Sequence, residues 1–251
     1  MISVICGVRN RTENLMKVLP TWLDADGVEE VVIADWNSSE ALVYKHERVR
    51  IVRVTNVDYW SLPQAFNMAA RFARGDIYAK LDADYKILNT SFFTDIDLKP
   101  GTFINGIENA PTALCGLFYL YAKDFWAVHG FDERMQGWGY DDNDIEHRLI
   151  ELGLQYKRLN NHEKHIEHLS HSPPNGKDNK VRFETMINGN LTNLLADNNC
   201  SKNAYIANTN PWNSSMPLVG IGDIEKIGKN IISCAVQGKS WKYKLYLGVG
   251  L

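Results

Sequence analysis

Short apolar runs alternate with amphipathic stretches over the first third of the chain. Ile2–Cys6 is an apolar run of strand length. Thr12–Leu23 follows, with Leu15, Val18, Leu19 and Trp22 spaced for one helical face and Thr12 standing where an N-cap belongs. Val31–Ala34 predicts a second strand that runs out into the polar Asp35-Trp36-Asn37-Ser38-Ser39, and Val49–Val54 alternates like a third. Pro63–Arg74 predicts a helix with Ala65, Phe66, Ala69 and Phe72 inward, stopped by Gly75. Ile77–Leu81 predicts a fourth strand leading into Asp82-Ala83-Asp84. Strands alternating with helices predict an α/β fold, a mostly parallel central sheet with flanking helices. In such sheets ligands sit beyond the carboxyl ends of the strands. Those ends carry Arg9 and Arg11, then Asp35, then Asp82 and Asp84.

The alternation weakens after Asp84. Thr102–Ile107 and Leu114–Tyr121 read as strands, Lys123–His129 as a short helix and Asp141–Leu152 as a longer one. Lys177–Asn199 reads as helical, Asn203–Ser215 as an asparagine-rich polar loop, and Ile221–Leu251 as amphipathic stretches. There is no internal repeat and no long linker. The expectation is one compact catalytic unit with a C-terminal extension over 201–251.

Composition narrows the function classes. At 251 residues and 45% hydrophobic, the chain can bury a sizeable core, which excludes a disordered or fibrous protein. Its 27 basic against 30 acidic residues leave a net charge of −3, so there is no clear nucleic-acid signal and no strong pull toward anionic lipid. No apolar run approaches the roughly 18 residues of a membrane span, and the first residues lack the zones of a signal peptide. Cys6, Cys115, Cys200 and Cys234 lie far apart, without the paired spacing of zinc or redox sites, and read as packed thiols. These features lead to the expectation of a cytoplasmic protein.

Three segments could carry chemistry. Asp82 and Asp84, at i and i+2 after a buried strand, can hold a hard divalent cation that in turn holds a diphosphate; the bland reading is a solvated strand cap. Gly137-Trp138-Gly139-Tyr140-Asp141-Asp142-Asn143-Asp144 is more specific. Its glycines allow unusual backbone angles, Trp138 offers a flat face for a sugar ring, and three carboxylates gather at a helix start that favours their ionised form. His162, His165, His168 and His171 recur every third residue, so that a helical turn could bring some of them together as metal ligands; Pro173 and Pro174 favour an extended chain near the end.

These segments resemble the metal-dependent GT-A glycosyltransferases. The second half is most similar to the β-1,4-galactosyltransferase family and the first half to the broad family 2 enzymes. Val8-Arg9-Asn10-Arg11 resembles the F-R-N-R nucleotide-binding segment. Gly130-Phe131 with the octet and Arg148-Leu149 resembles the G-F…G-W-G-G-E-D-D-D…R-L block. His168-Leu169-Ser170-His171-Ser172 with Arg182-Phe183 resembles the metal-binding M-x-x-H-S…R-F segment. The resemblance spans Ile2 to Phe183. Tyr140 stands for a glycine, Asp141 for a glutamate, Asn143 for an aspartate, Ala83 for a valine and His168 for a methionine. The Asp35 segment is closer to family 2, whose strand-end aspartate contacts the uracil base.

The resemblance implies an inverting, Mn²⁺-dependent transferase, with Mg²⁺ as a substitute, that moves a hexose or N-acetylhexosamine from a UDP-sugar to a hydroxyl on a glycan or other acceptor. Residues 1–100 would form the nucleotide-sugar half and 101–200 the acceptor and catalytic half. Arg9, Arg11, Asp35, Asp82 and Trp138 would contact the donor. Asp84, His168 and His171 would hold the metal. Asp142 would be the general base, and Trp138, Tyr140 and Asp141 would meet the acceptor. Small residues at Ala113, Cys115 and Gly116 favour galactose or N-acetylgalactosamine. The rival readings are a nucleotidyltransferase, for which Cys6-Gly7-Val8-Arg9 is a poor phosphate loop, and a non-catalytic sugar-binding protein on the same fold. In the extension, Trp241, Tyr243, Leu245 and Tyr246 alternate with lysines. They are a candidate peripheral membrane contact, the bland reading being an element packed on the catalytic unit.

Overall fold

A computed structural model describes residues 1–58, 60–107, 114, 116–135, 139–159, 165–169 and 199–237. In chain order the elements begin with β1 (Ile2–Val8), α1 (Thr12–Leu23), β2 (Val28–Trp36), β3 (Val49–Thr55), α2 (Leu62–Phe72), β4 (Ile77–Lys80) and β5 (Tyr85–Ile87). There follow α3 (Phe92–Asp95), β6 (Thr102–Ile107), β7 (Phe118–Tyr121), α4 (Ala122–Ala127) and α5 (Asp141–Glu151). The described chain ends with β8 (Gln155–Leu159), β9 (Ile166–His168), α6 (Asn199–Thr209), β10 (Gly220–Lys226) and β11 (Ile231–Gln237). Among the described residues nine strands form one sheet in the order β10-β11-β3-β2-β1-β4-β7-β6-β8, and β5 pairs with β9 alone. Strands β11, β3, β2, β1 and β4 run parallel, as do β6 and β8, whereas β7 and β10 run antiparallel to their neighbours.

The alternation of side chains along β1 explains the layers. Val4, Cys6 and Val8 face α1, packing in one apolar cluster with its Leu15, Val18, Leu19 and Trp22. Ile5 faces the other way, into a cluster with Ala65, Phe66 and Ala69 of α2. Gly7 lets α2 approach closely, since a Cβ there would lie 2.8 Å from the Ala65 Cβ. Helix α2 starts on Ser61, whose Oγ accepts from the Gln64 N–H, with Pro63 in the first turn. For α1 the cap position is Arg11, and Thr12 is the first helical residue.

Three expectations give way to different local structure. The asparagine-rich segment from 203 is helical as far as Thr209. Its propensity is poor, and it is held by contact instead: Asn203 is buried, its Nδ2 donates to the Gly139 carbonyl at 2.7 Å, and Ala207 is buried as well. Within the histidine segment, Ile166–His168 is the strand β9 and not a helical turn, so the every-third spacing makes no helical face there; His162 and His171 lie outside the described residues. Residues 220–237, within the stretch set apart as an extension, add two strands to the sheet edge beside β3. The expected helix over 177–199 and the aromatic–lysine stretch over 241–246 lie outside the described residues, apart from Asn199 at the start of α6. No helix among the described residues is long and apolar enough to cross a membrane.

Candidate active site

Because β1, β2 and β4 are parallel and in register, their carboxyl ends open on one edge. Arg9 follows β1 there. Its Nη2 donates to the Asp58 carbonyl at 3.2 Å, while its buried Nη1 has no hydrogen-bond partner among the described residues. A buried guanidinium nitrogen without an acceptor is costly unless a ligand supplies one. Arg11 is half-buried at the start of α1.

Asp35, the last residue but one of β2, is in register with Val8 and fully buried. Its Oδ1 accepts from the Ser38 N–H at 3.2 Å, and its Oδ2 accepts from the Leu42 N–H at 3.0 Å and from Arg53 at 2.5 Å. Both oxygens are thus engaged in shaping the loop after β2. Asn10, in the left-handed region at φ 56°, ties that loop to the one after β1: its Oδ1 accepts from the Ser39 N–H at 2.8 Å and its own N–H donates to Ser38 Oγ at 2.9 Å.

At the end of β4 lies Lys80, a residue with no assigned role in the sequence reading. Its side chain is 1% exposed. The ammonium sits 4.6 Å from the ring centroid of Phe66, 5.8 Å from that of Phe131 and 5.9 Å from that of Phe118. It is 3.3 Å from Asp82 Oδ1 and 3.1 Å from Asp142 Oδ1. Burial alone would lower its pKa, but Asp142, Asp82 and Asp141 outweigh burial and raise it. The one signal in the sequence is a lysine inside an apolar strand two residues before a D-x-D.

The backbone enters α5 through Gly139 at φ 106° and Tyr140 at φ 69°, the latter a left-handed cap that a non-glycine residue occupies at a cost of about 1–2 kcal/mol. Three carboxylates of the first turn then diverge. Asp141 Oδ1 accepts from the Gly139 N–H at 3.0 Å. Asp144 Oδ2 accepts from Arg148 Nε at 3.0 Å and Nη2 at 2.5 Å, and Arg148 Nη1 donates onward to the Val128 and Gly130 carbonyls. Asp142 instead reaches Lys80 across 62 positions of sequence. Burial pushes Asp142 up to about 7 against the pull of Lys80, with Asp141 and Asp82 adding to the rise. Burial likewise raises Asp141 and Asp144, the latter against Arg148.

The loop before α5 is fixed from α2. Asn67 exchanges two hydrogen bonds with Phe131, at 2.9 Å each, and Gln64 Nε2 donates to the Glu133 carbonyl at 2.9 Å. The Glu133 carboxylate accepts from Asn67, Arg71 and the Val219 N–H, which ties the approach to β10 onto the same loop.

Asp84 and His168 face each other at the start of β5 and the end of β9, Oδ2 to Nε2 at 3.6 Å. A carboxylate beside an imidazole is a donor set that suits Mn²⁺. Among the described residues no group of three such ligands assembles. His171 and Trp138 lie outside the described residues, as do His162, Ala113 and Cys115. Gly116 is described. A Cβ there would lie 2.4 Å from Asp82 Oδ2 and 3.0 Å from Lys80 Nζ, so the backbone at Gly116 lies directly against the Lys80–Asp82 pair. The site therefore brings together Asp82, Asp141 and Asp142 around Lys80, and Asp84 with His168.

Residues 105–172 match the family model described as the N-terminal domain of galactosyltransferase. No curated protein sequence matches the chain. Among solved structures, the catalytic domain of Drosophila β1,4-galactosyltransferase 7 in complex with xylobiose is 16% identical. That match covers 95% of this chain and 94% of that one, with a TM-score of 0.57. The mannosyltransferase PcManGT from Pyrobaculum calidifontis, in complex with GDP-Man and Mn²⁺, is 15% identical over 64% of this chain, with a TM-score of 0.51. S. aureus TarS in complex with UDP-GlcNAc is 13% identical over 69% of this chain, with a TM-score of 0.55. The chain spans 55% of the mannosyltransferase, 59% of TarS residues 1–349 and 36% of the longer TarS chain. The chain has the GT-A glycosyltransferase fold, and its segment 105–172 is similar to the galactosyltransferase N-terminal domain.

Proposed function

We propose that this protein is an inverting glycosyltransferase that moves a sugar, galactose or N-acetylgalactosamine, from a UDP-sugar to an acceptor hydroxyl. The observation that carries the reading is the meeting of two sequence-distant motifs. Asp82 of the D-x-D and Asp142 of the acidic octet lie 3.3 and 3.1 Å from one ammonium, at the carboxyl edge of the sheet. Fold alone would not support an activity; this clustering of carboxylates, one of them raised to about 7, is what supports acid–base work near neutral pH. An aspartate-to-asparagine mutant of the Drosophila enzyme has also been solved with manganese, UDP-galactose and xylobiose, which favours the same pairing of cation and donor here.

In this reading Arg9 uses its unpartnered Nη1, together with Arg11, to bind the nucleotide. Asp35 acts indirectly, by holding the Ser38–Leu42 loop beside the base. Asp84, His168 and His171 would hold Mn²⁺, or Mg²⁺ in its place, and Asp82 would meet the donor beside them. When bound, the cation screens the charge that develops on the departing diphosphate. Asp142 takes the proton from the acceptor hydroxyl. That oxygen attacks the anomeric carbon from the side opposite the diphosphate, the carbon–oxygen bond to UDP breaks, and the configuration inverts. Trp138 and Tyr140 present the acceptor, a glycan or another hydroxyl-bearing molecule, and Asp141 acts through the loop that it holds at Gly139.

UDP release from a panel of UDP-sugars, with Mn²⁺ and then with chelator, tests this. The expected result is Mn²⁺-dependent release from UDP-galactose or UDP-N-acetylgalactosamine that rises with acceptor. Full activity in chelator overturns the metal assignment, and a strong preference for UDP-glucose overturns the donor. Binding without release in any condition means a sugar-binding protein.

A further inference from the structure

Among the described residues Lys80 is the buried side chain paired with carboxylates of both motifs, and the proposed reaction gives it no step. Its surroundings are built. Three aromatic rings enclose the head of the side chain, Phe66 from α2, Phe118 from β7 and Phe131 from the loop before α5. The Gly116 backbone closes over it, with room for no Cβ. A buried ammonium in such a setting is retained only with paired anions. Its two carboxylates come from separate elements, Asp82 after β4 and Asp142 in α5. Asp144 is committed to Arg148 and Asp141 to the Gly139 N–H, so Asp142 is the carboxylate of that turn that reaches back to the sheet.

We propose that Lys80 is a positioning residue for the base, fixing Asp142 through its Oδ1 so that Oδ2 is the oxygen that accepts the acceptor's proton. This rests on the reading of Asp142 as the base. Lys80 keeps its three protons throughout and transfers none. The proton passes from the acceptor hydroxyl to Asp142 Oδ2 as the new carbon–oxygen bond forms and the bond to UDP breaks. Because the same ammonium holds Asp82, the base is set at a fixed distance from the donor side of the site. Misplacing a reacting group by about 1 Å costs on the order of 10²-fold in rate.

Lys80→Met keeps the length and apolar contacts of the stem and removes the charge. The expected result is a fall in kcat of about 10²-fold with the donor KM within about threefold. A Lys80→Met/Asp142→Asn double variant should be no slower than Asp142→Asn alone, as for groups that act as a unit. Lys80→Cys, alkylated with bromoethylamine before refolding in a background whose Cys6, Cys115, Cys200 and Cys234 are replaced by alanine, should recover most of the lost kcat, which ties the loss to the ammonium. Unchanged kcat in Lys80→Met, or losses that multiply in the double variant, overturns the proposal. Should Lys80→Met fail to fold, the ¹⁵N resonance of the Lys80 ammonium in the otherwise intact protein gives the second test. It should shift in Asp142→Asn, and an unmoved signal overturns the proposal. Failure of the glycosyltransferase reading is separate, since the unmodified protein would then release no UDP from any sugar nucleotide.

Discussion

The carboxylates after β4 and those at the start of α5 are held by different physics. Asp82 and Asp84 follow a buried strand in ordinary backbone geometry, and both remain partly open to solvent, the Asp82 side chain by 32%. The α5 carboxylates begin a helix entered through two left-handed residues, and Asp141 and Asp144 are buried. The first pair is available to a ligand because the strand simply ends. The second group is divided by its partners: Asp144 is locked to Arg148, Asp141 holds its own loop, and Asp142 is left to face the site. Three acidic residues in four positions thus have three separate jobs, which their order alone does not separate.

That division is broken most sharply at Asp142. Asp142→Asn keeps the shape and removes the proton acceptor, and the rate of UDP release should fall on the order of 10²–10⁴-fold with donor binding nearly unchanged. With the Asp142 carboxyl at about 7, only its ionised form can accept a proton, so kcat/KM should rise as pH passes through about 7 and then level. In Asp142→Asn that limb should vanish. Near-normal turnover in Asp142→Asn with a dead Asp141→Asn would move the base by one residue.

The next effect falls on stability. Asp144→Asn leaves Arg148 buried without its counter-charge, and should cost about 3 kcal/mol in urea unfolding, while kcat changes little in the protein that remains folded. A large loss of kcat with no loss of stability would instead place Asp144 in the chemistry. The smallest effect concerns the entry to the helix. Tyr140→Gly relieves a left-handed φ of 69° and should raise stability by about 1 kcal/mol or less, the gain being offset by the entropy of glycine. A lower Tm would mean that packing of the Tyr140 ring against His147, 6.3 Å between centroids, outweighs the strain.

The parts of the fold visible in the sequence are those with a buried face. Helix α1 at Thr12–Leu23 and strand β6 at Thr102–Ile107 have the bounds their periodicity predicts. The second half hides its elements for two reasons. Strands β8 and β10 lie at the two edges of the sheet and are largely exposed, so neither carries an apolar alternation. Helix α6 has a polar, asparagine-rich sequence and is fixed by Asn203 reaching Gly139, a contact no local pattern announces. At the site the contrast is similar. Asp82, Asp84 and Asp142 stand out because carboxylates at those spacings have a chemical use, whereas Lys80 is marked only by its place inside an apolar strand until the fold buries it. Arg53 is equally silent, although it fixes Asp35.

The pairing of β3 with β11 has a consequence in time. Ile51 sits opposite Ile231, and Thr55 Oγ1 donates to the Cys234 carbonyl across 179 positions. At a synthesis rate of about 5–20 residues per second, β3 leaves the ribosome roughly 10–40 s before the strand that covers it. Through that interval one flank of the nascent sheet is an open template for any neighbouring chain. Its sequence, Val-Arg-Ile-Val-Arg-Val-Thr, is apolar but for the two arginines and the final threonine. In the finished fold Arg53 clamps Asp35 and Arg50 lies 3.9 Å from Glu30. Before that, the same two charges interrupt the apolar run and guard the waiting edge against aggregation.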